Sequence, residues 1–361
     1  MITHSNTELE RSSYIHPNSF LSAIMSQHKA SLLPQKQGKL EVGTRPTPSP
    51  QGNQALVKVT AAAVNPADWK IQDYGIFIEE FPAVLGSDGA GIIEAVGPEV
   101  TGFKPGDKVF FQGVYGRDEA TFQEKSIVET DIISKIPDNI TEDEASTIPA
   151  AAVAALVGLF QKTGISFPAN GPTANGQGVL ILGGSSSVGQ FGIQLAHIAG
   201  FSPIVTTASA RHVNLLKSLG ATHVFDRNVD AKTVQSTFPT PVSLVLDSIS
   251  VASTQSLAFD VLAIPSPVPG AHLALVLPLV DAIKEKNADN KVTVHQIYGS
   301  SHRFRDLGVP FWQNVGQWIK DGKFVPNRVQ AVKGGLAALP EALDLSRKGV
   351  SGLKIVIHPQ E

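Results

Sequence analysis

The feature that most constrains the fold is a series of apolar strand segments that alternate with helical segments over residues 179–278. The strand segments VLIL, PIVTT, HVFD, SLVLD and AHLALVLP are apolar along most of their length. In the first helical segment, an apolar stripe recurs at steps of three and four at Val188, Phe191, Leu195 and Ile198. Such alternation is typical of a parallel sheet covered on both faces by helices. The sequence therefore predicts an α/β fold with a doubly wound parallel sheet.

The first strand–turn–helix unit of this series, LILGGSSSVGQ (180–190), predicts a phosphate-binding turn. A dinucleotide turn needs a tight bend, bare backbone and a helix N-terminus aimed at the anion. Aligned to Gly-x-Gly-x-x-Gly, Gly184 supplies the bend and Gly189 the close packing of the helix on the strand. The serine hydroxyls can donate to phosphate oxygens. The predicted contacts are Gly184, Ser185, Ser186, Ser187, Val188 and Gly189. An ordinary bend is the alternative for the motif taken alone, and the alternating series favours the cofactor.

The end of the second strand segment favours NADPH over NADH. An NAD enzyme usually has an acidic residue about 20 residues after the turn, where it binds the ribose 2′-hydroxyl. Here the segment is TTASARH, in which Ser209 and Arg211 could bind a 2′-phosphate through charge-assisted hydrogen bonds. A solvated Arg211 is the alternative, and Arg227 is a second phosphate candidate. Asp247 and Leu275, from the SLVLD and AHLALVLP segments, complete the predicted cofactor site.

Composition excludes several classes of protein. The chain contains no cysteine, which removes disulfides, thiolate nucleophiles and cysteine-ligated zinc. A net charge of −3 without a long basic run argues against nucleic-acid partners. No apolar stretch reaches the roughly 18 residues that span a bilayer, so no membrane partner is expected. Residues 1–28 lack the pattern of a secretory signal and are expected to be a disordered tail, which makes the cytoplasm the default location.

The remaining segments predict a second domain of short strands. ALVKVTAAAV, AGIIEAVG and GFKPGDKVFF have the composition of strands and turns, and TIPAAAVAALVGLFQKTG has that of a small-residue helix. Near the C-terminus, PFWQNVGQWIKDG predicts a helix and LKIVIHP a strand that returns to the first domain. The expected domains are 29–155, completed by 311–361, and a nucleotide-binding domain at 156–310.

Motifs along the chain identify a resemblance to a known superfamily. AAAVNPADWK (61–70), LGSDGAGIIEAVG (85–97), GFKPGDKV, LGGSSSVGQ and SGLKIVI are similar to segments of the medium-chain dehydrogenases/reductases. The Asn-Pro-x-Asp-Trp-Lys segment resembles most closely the zinc-independent fungal branch, which contains trans-acting enoyl reductases of polyketide pathways. The resemblance implies a GroES-like β-rich catalytic domain, a Rossmann NADPH-binding domain and an active site in the cleft between them.

The resemblance also implies a site without metal. The catalytic cysteine, histidine and glutamate of the zinc alcohol dehydrogenases align with Asn65, Ser87 and Asp88, and their third ligand falls near Ala151. Asn, Ser and Ala side chains do not form a tetrahedral zinc site. Without a Lewis acid the reduction of an isolated ketone is harder, whereas an activated C=C bond can delocalise charge onto a carbonyl oxygen held by hydrogen bonds.

Three residues are the predicted catalytic candidates. The resemblance places Lys70 facing the cofactor and the acyl group, where an ammonium stabilises negative charge; a surface lysine beside Trp69 is the alternative. Asn65 is expected to organise the site loop or contact the nicotinamide ribose. Tyr74 is a candidate proton donor, with a packed loop aromatic as the alternative. Three phenylalanines are candidates for the wall of a substrate cleft: Phe77, Phe81 and Phe111.

The predicted function is NADPH-dependent reduction of a small unsaturated carbonyl compound: an enone or enal, an enoyl thioester or a quinone. Two roles are compatible with this reaction. One is a stand-alone detoxifying reductase, and the other is a trans-acting enoyl reductase that serves a polyketide synthase or acyl carrier. His302, Arg303 and Arg305 form a basic patch that could meet an anionic carrier, with a solvated loop as the alternative. The alternative from another functional class is that the chain is a non-catalytic NADPH-binding protein. Monomer and homodimer both stay open.

Overall fold

The computed structural model describes residues 26–361. The first strands are β1 (Gln27–Leu33), β2 (Glu41–Pro46), β3 (Gln54–Ala63), β4 (Ala83–Val84), β5 (Asp88–Val96), β6 (Lys108–Gln112), β7 (Lys125–Glu129) and β8 (Ile133–Lys135). The first helices are α1 (Pro66–Tyr74), α2 (Glu142–Ser146) and α3 (Pro149–Phe160). The alternating series consists of β9 (Val179–Leu182), α4 (Ser187–Ile198), β10 (Ile204–Thr207), α5 (Val213–Ser218), β11 (His223–Phe225), α6 (Ala231–Gln235), β12 (Leu244–Asp247), α7 (Ala252–Ala263), β13 (His272–Leu275), α8 (Asp281–Lys286) and β14 (Thr293–Gln296). The last elements are α9 (Arg305–Lys320), β15 (Arg328–Val332), α10 (Leu339–Lys348) and β16 (Leu353–Ile357).

The predicted N-terminal tail ends earlier than expected. Gln27 and His28 belong to β1, and the buried His28 ring lies 3.1 Å from the amide oxygen of Gln123. The rest of the predicted tail, residues 1–25, lies outside the described residues. Among residues 26–361, no helix combines the length and apolarity needed to cross a membrane.

Residues 179–296 form the predicted doubly wound sheet. Its six strands are parallel and have the order β11–β10–β9–β12–β13–β14. The direction of the strand order reverses between β9 and β12, which is where such sheets bind dinucleotides. All four residues of β9 are buried, because helices cover both faces. On α4, Phe191 and Leu195 are buried in the core, as the apolar stripe predicts. The α/β fold class is therefore confirmed.

The other strands form two sheets that are antiparallel except for the parallel pair β15–β16, and the C-terminal segment closes the larger one. A three-stranded sheet has the order β2–β1–β4, and a seven-stranded sheet contains β15–β16–β3–β5–β6–β8 with β7 paired to β3. Strand β16 runs antiparallel to β3, with Val356 opposite Ala63. The closing strand thus returns to the first sheet, about 290 residues along the chain from its partner. The exact domain boundaries stay a prediction.

Two contacts fix the junction between the large sheets. Helix α3, rich in alanine, packs closely against α4. At the end of β6, the buried Gln112 amide donates to the Gly299 carbonyl at 2.7 Å and accepts from the Ser301 backbone N–H at 2.8 Å. Gly299 and Ser301 follow β14 directly. The carboxyl ends of β13 and β14 therefore face the end of β6, and the candidate site lies at this junction.

Candidate functional site

The turn after β9 has the bare backbone that a pyrophosphate needs. The bend lies at Gly183 rather than at Gly184 as predicted, because Gly183 has a φ of 77°. A Cβ on Gly183 would lie 2.3 Å from Ile249 Cγ1, and one on Gly184 would lie 2.3 Å from Thr206 Oγ1. Gly189 packs the helix onto the turn, since a Cβ there would lie 2.3 Å from the Gly183 carbonyl oxygen. Every side chain larger than hydrogen is sterically excluded at these positions.

The predicted serines divide into different roles. Ser186 is the N-cap of α4: its hydroxyl accepts from the Gly189 N–H at 2.9 Å and lies 2.8 Å from the Ser248 hydroxyl. Ser187 and Val188 are the first helical residues, so their N–H groups precede the intrahelical ladder and can bind an anion. The turn and the twelve-residue helix behind it fit the pyrophosphate of a nicotinamide dinucleotide.

The predicted 2′-phosphate residues meet beyond β10. The Arg227 guanidinium donates to the Ser209 hydroxyl at 2.9 Å, although the two residues lie on successive strand–helix connections. Arg211 is exposed, and its Nε donates to the His212 ring at 3.2 Å. Within residues 26–361, neither arginine has a carboxylate at ion-pair distance. Two uncompensated guanidinium groups beside a hydroxyl form a site suited to a phosphate.

The C-terminal segment contributes to this region, which sequence analysis missed. The His212 ring lies 2.9 Å from the Ser351 hydroxyl, which is also 3.3 Å from the Ser185 hydroxyl of the turn. The Gly352 N–H donates to the Ser185 carbonyl at 3.0 Å. Burial lowers the pKa of His212, as do the neighbouring charges of Arg211 and Arg328. A separation of 139 residues between His212 and Ser351 leaves no local signal from which the contact could be predicted.

Two predicted cofactor residues have structural contacts, and their role toward a cofactor stays a prediction. The Asp247 carboxylate accepts from the N–H groups of Ile249 and Ser250 at 3.0 and 2.8 Å, and its burial raises its pKa. The Leu275 side chain is fully buried and its carbonyl accepts from the Ile297 N–H at 2.7 Å. Both lie at carboxyl ends of neighbouring strands, as predicted, but the structure uses their polar groups to hold the loops that follow.

A buried charged cluster lies at the other side of the junction. The Lys354 ammonium donates to the Asn65 amide oxygen at 2.6 Å and to Asp88 Oδ2 at 2.7 Å. Asn65 Nδ2 donates to the same Asp88 oxygen at 2.8 Å. Lys354 and Asp88 are 4% and 0% exposed, so water does not solvate this ion pair. Sequence analysis missed Lys354, although a lysine inside the apolar strand LKIVI was a visible signal.

This cluster does not fit the zinc ion that related dehydrogenases imply. The second Asp88 oxygen, Oδ1, accepts from the Ala150 N–H at the start of α3 at 2.6 Å. Both oxygens of the carboxylate are therefore occupied by donors, and the position beside Oδ2 holds an ammonium. The other aligned positions, Asn65 and Ser87, offer no anionic ligand. Among residues 26–361, no group of three histidine, aspartate or glutamate side chains has a metal-binding arrangement.

A second buried carboxylate and a phenol complete the cluster. Asp68 is fully buried in α1 and accepts from the Asn65 backbone N–H at 2.6 Å, which caps the helix. Burial raises the pKa of Asp68 to about 7, and the nearby Asp88 charge adds to the effect. The Tyr115 hydroxyl lies 3.0 Å from the Ser87 hydroxyl, which is 3.4 Å from Asn65 Nδ2. Burial, followed by the Asp68 charge, raises the pKa of Tyr115 well above its usual value.

Lys70 and Tyr74 lie further along α1 from the cluster. The half-buried Lys70 ammonium is 5.5 Å from the Trp69 ring centroid, and desolvation lowers its pKa. Within the described range Lys70 has no carboxylate at ion-pair distance, so its charge is available to a ligand. Tyr74 is 60% exposed and packs edge-on to Trp69 at 6.0 Å. The structure brings Asn65 into the cluster and leaves Tyr74 outside it.

Two further sequence hypotheses receive no support from the geometry. Phe111 is fully buried in the core and is therefore not on a cleft surface, whereas Phe77 is 69% exposed and its place in a cleft stays a prediction. In the predicted basic patch, Arg305 forms ion pairs with Glu129 and Asp131. Arg303 stacks on the rings of Tyr298 and Phe304. The carboxylates compensate the charge of Arg305, which leaves Arg303 as the charged residue of this patch without a carboxylate at ion-pair distance in the described chain.

Comparisons with known proteins agree with the geometry. Residues 51–138 match the family described as Alcohol dehydrogenase GroES-like domain, and residues 187–265 match that described as Zinc-binding dehydrogenase. The trans-enoyl reductase tndF of Aspergillus flavipes is 34% identical over 365 residues, which cover 92% of this chain and 99% of that protein. The trans-enoyl reductase himH of Aspergillus japonicus is 33% identical over 326 residues, with coverages of 88% and 93%.

Solved structures share the fold along nearly the whole chain. The quinone oxidoreductase from Coxiella burnetii superposes with a TM-score of 0.70 at 23% identity, covering 92% of this chain and 99% of that one. The chain thus combines a GroES-like domain with a Rossmann-type parallel sheet. Its similarity to the two fungal reductases covers 99% and 93% of those proteins. The chain belongs to the medium-chain dehydrogenase/reductase superfamily of oxidoreductases, in the group that contains fungal trans-enoyl reductases.

Proposed function

We propose that the protein is an NADPH-dependent reductase of activated C=C bonds that works without a metal ion. The observation that carries the proposal is the Lys354–Asp88–Asn65 cluster, in which an ammonium lies beside the carboxylate at the junction of the two sheets. A site of this kind offers hydrogen bonds and fixed charge but no Lewis acid. Such a site can stabilise charge on the carbonyl oxygen of an unsaturated carbonyl compound. The trans-enoyl reductases among its relatives support this reaction class.

The residues of the chain bind and orient the reactants. When bound, a reduced nicotinamide supplies the hydride for the β carbon of the alkene. The N–H groups at the start of α4 hold the pyrophosphate, and the Gln112 bridge keeps the two halves of the cleft in register. The unpaired Lys70 ammonium binds the negative charge that develops on the carbonyl oxygen or a phosphate of the cofactor. Lys354 keeps Asn65 in one orientation at the cofactor.

The choice of NADPH rests on Ser209, Arg211 and Arg227. Two guanidinium groups and a hydroxyl stand where an NAD enzyme places an acid, and a 2′-phosphate can accept from all three. NADPH should bind at least about tenfold more tightly than NADH. Arg211→Ala and Arg227→Ala should each reduce that ratio by weakening NADPH alone. Isothermal titration with both nucleotides measures the ratio of the two affinities. The control is Lys217→Ala, because Lys217 is an exposed cation on the following helix.

The decisive experiment is a screen of NADPH oxidation with 2-cyclohexenone, a crotonyl thioester and a quinone. Steady turnover of at least one alkene supports the proposal. NADPH binding without turnover of any of them supports instead a non-catalytic NADPH-binding protein. Faster turnover of the thioester than of the free enone favours a trans-acting role beside a polyketide synthase, whereas the reverse favours detoxification of small unsaturated carbonyls. The proposal retains the cytoplasmic location expected from the sequence.

The oligomeric state of the proposed enzyme is tested by light scattering. Strand β14 is an edge of the six-stranded sheet, and its residues Thr293 and Gln296 are exposed, so a second copy could pair there. A mass of one chain identifies a monomer and a mass of two identifies a homodimer. All residues of the proposed site lie on one chain, so the proposed reaction can occur in a monomer as well as in a homodimer.

A further inference from the structure

Tyr115 lies at the junction of the two sheets and has no role in the proposed function so far. It follows β6 by three residues, and the last residue of β6, Gln112, is bound to Gly299 and Ser301. Those two residues follow β14, on the side of the sheet switch point away from the predicted adenosine site. A dinucleotide that crosses the switch point places its nicotinamide on this side. Tyr115 is therefore near the end of the cofactor at which reduction occurs.

The hydroxyl of the half-buried Tyr115 is held by polar neighbours. Ser87 Oγ lies 3.0 Å from it, and Ser87 in turn is 3.4 Å from Asn65 Nδ2. The fully buried Asp68 carboxylate lies close enough to raise the pKa of the phenol, and Asp68 Oδ1 has no hydrogen-bond partner in the described chain. By contrast, the hydroxyl of Tyr74, the tyrosine predicted as donor, belongs to a side chain that is 60% exposed. Tyr115 thus has the oriented hydroxyl that Tyr74 lacks.

We propose that the Tyr115 hydroxyl protonates the α carbon of the substrate; this rests on the proposed function. Hydride addition at the β carbon moves the π electrons of the alkene onto the carbonyl oxygen and leaves an enolate. As the enolate re-forms its C=O bond, the α carbon takes the proton from the Tyr115 O–H bond and leaves a tyrosinate. The tyrosinate recovers a proton from the Asp68 carboxylic acid or, through the Ser87 hydroxyl, from water. The net change is the addition of one hydride and one proton across the alkene.

The electrostatics of the two groups suit this direction of transfer. The raised pKa of Tyr115 keeps the phenol protonated at neutral pH, so the donor is loaded before each turnover. The pKa of Asp68, raised to about 7, leaves a substantial fraction of this carboxyl protonated at neutral pH. Asp68 therefore acts as a positioning residue and proton reserve behind Tyr115. Both effects have the same physical cause, which is burial.

The first test compares Tyr115→Phe with Tyr74→Phe as the matched control. With the alkene that the screen identifies, Tyr115→Phe should lower kcat by about 100-fold or more, with KM and NADPH affinity within about threefold of wild type. Tyr74→Phe should behave as wild type. A loss below about tenfold for Tyr115→Phe overturns the inference, as does an equal loss for Tyr74→Phe. Wild-type protein that reduces no alkene refutes the proposed function itself, which is a distinguishable result.

The second test measures contact without turnover. The chain has four tyrosines, so protein labelled with 13C at tyrosine Cζ gives a simple NMR spectrum in which Tyr115→Phe identifies the Tyr115 resonance. With NADP⁺ bound, a crotonyl pantetheine thioester should shift the Tyr115 resonance, and Ser87→Ala should reduce the shift. A thioester that inhibits turnover but moves only the Tyr74 resonance, or none, overturns the inference. If Tyr115→Phe misfolds, phenylalanine substitutions of the other three tyrosines identify the Tyr115 resonance by elimination, and the titration itself uses wild-type protein.

Discussion

Replacing Lys354 with methionine tests whether the buried ion pair organises the candidate site. Methionine retains the length and much of the volume of the lysine stem but removes the ammonium. Asp88, which is 0% exposed, would then keep only the Asn65 amide and the Ala150 N–H as partners. Asn65 would lose the donor at 2.6 Å that fixes its amide oxygen. The variant leaves a buried carboxylate without its countercharge.

The expected cost follows from the burial of both partners. Removing one partner of a buried pair destabilises a protein by about 3–5 kcal/mol, because the remaining charge is uncompensated. At about 2.1 cal/mol/K of unfolding entropy per residue, each kcal/mol lowers the Tm of a 361-residue chain by roughly 1.3 °C, so Lys354→Met should lower Tm by about 4–7 °C. The control is Lys108→Met, whose partner Glu142 lies at a similar distance of 2.8 Å but whose side chain is 59% exposed. Solvent screens the charges of that exposed pair, so its loss should leave Tm nearly unchanged.

Thermal unfolding followed by circular dichroism measures both variants, and a double-mutant cycle separates the pair from its surroundings. Lys354→Met combined with Asp88→Asn should recover most of the lost stability, since the buried charge is then absent. Alkene reduction should stay low in the double variant, because Asn65 has lost its anchor. If Lys354→Met unfolds at the same temperature as Lys108→Met, the reasoning from burial is wrong.

Three further perturbations follow from the site. A raised pKa means that the folded chain binds the Asp68 proton more tightly than the unfolded chain, whose carboxyl has a pKa of 3.8. The free energy of unfolding should therefore fall as pH rises from about 4 to 7, by up to about 4 kcal/mol relative to that of the Asp68→Asn variant. Urea unfolding of both proteins over this pH range measures the difference, and equal pH profiles for the two would contradict the prediction. Gly183→Ala should weaken NADPH binding at least tenfold by titration, because φ is 77° and Ile249 blocks a Cβ, whereas Gly176→Ala, with φ of 74° and open space, should only lower stability. Prolonged dialysis against EDTA should leave turnover unchanged, and loss of activity restored by zinc would refute a metal-free site.

Local pattern was enough to predict the nucleotide-binding half. Strand and helix in this half are set by periodicities of neighbouring residues, and all six strands of the sheet lie between residues 179 and 296. The phosphate turn was predictable for the same reason, because its glycines and serines are contiguous. Even there, the bend lies one residue earlier than predicted, at Gly183, because Gly183 and not Gly184 has a positive φ in the folded chain.

The candidate catalytic site depends instead on contacts between distant segments. Lys354 and Asp88 are 266 residues apart, and their partner Asn65 lies on a third segment. The resemblance pointed to Tyr74 because related enoyl and quinone reductases carry a tyrosine near this position, yet Tyr115 reaches the cluster and Tyr74 does not. Periodicity and short motifs depend only on residues that are close to one another in the sequence. The free energy of a buried ion pair depends on which segments of the chain exclude water from it. Only the folded arrangement of β3, β5, β6 and β16 determines which segments these are.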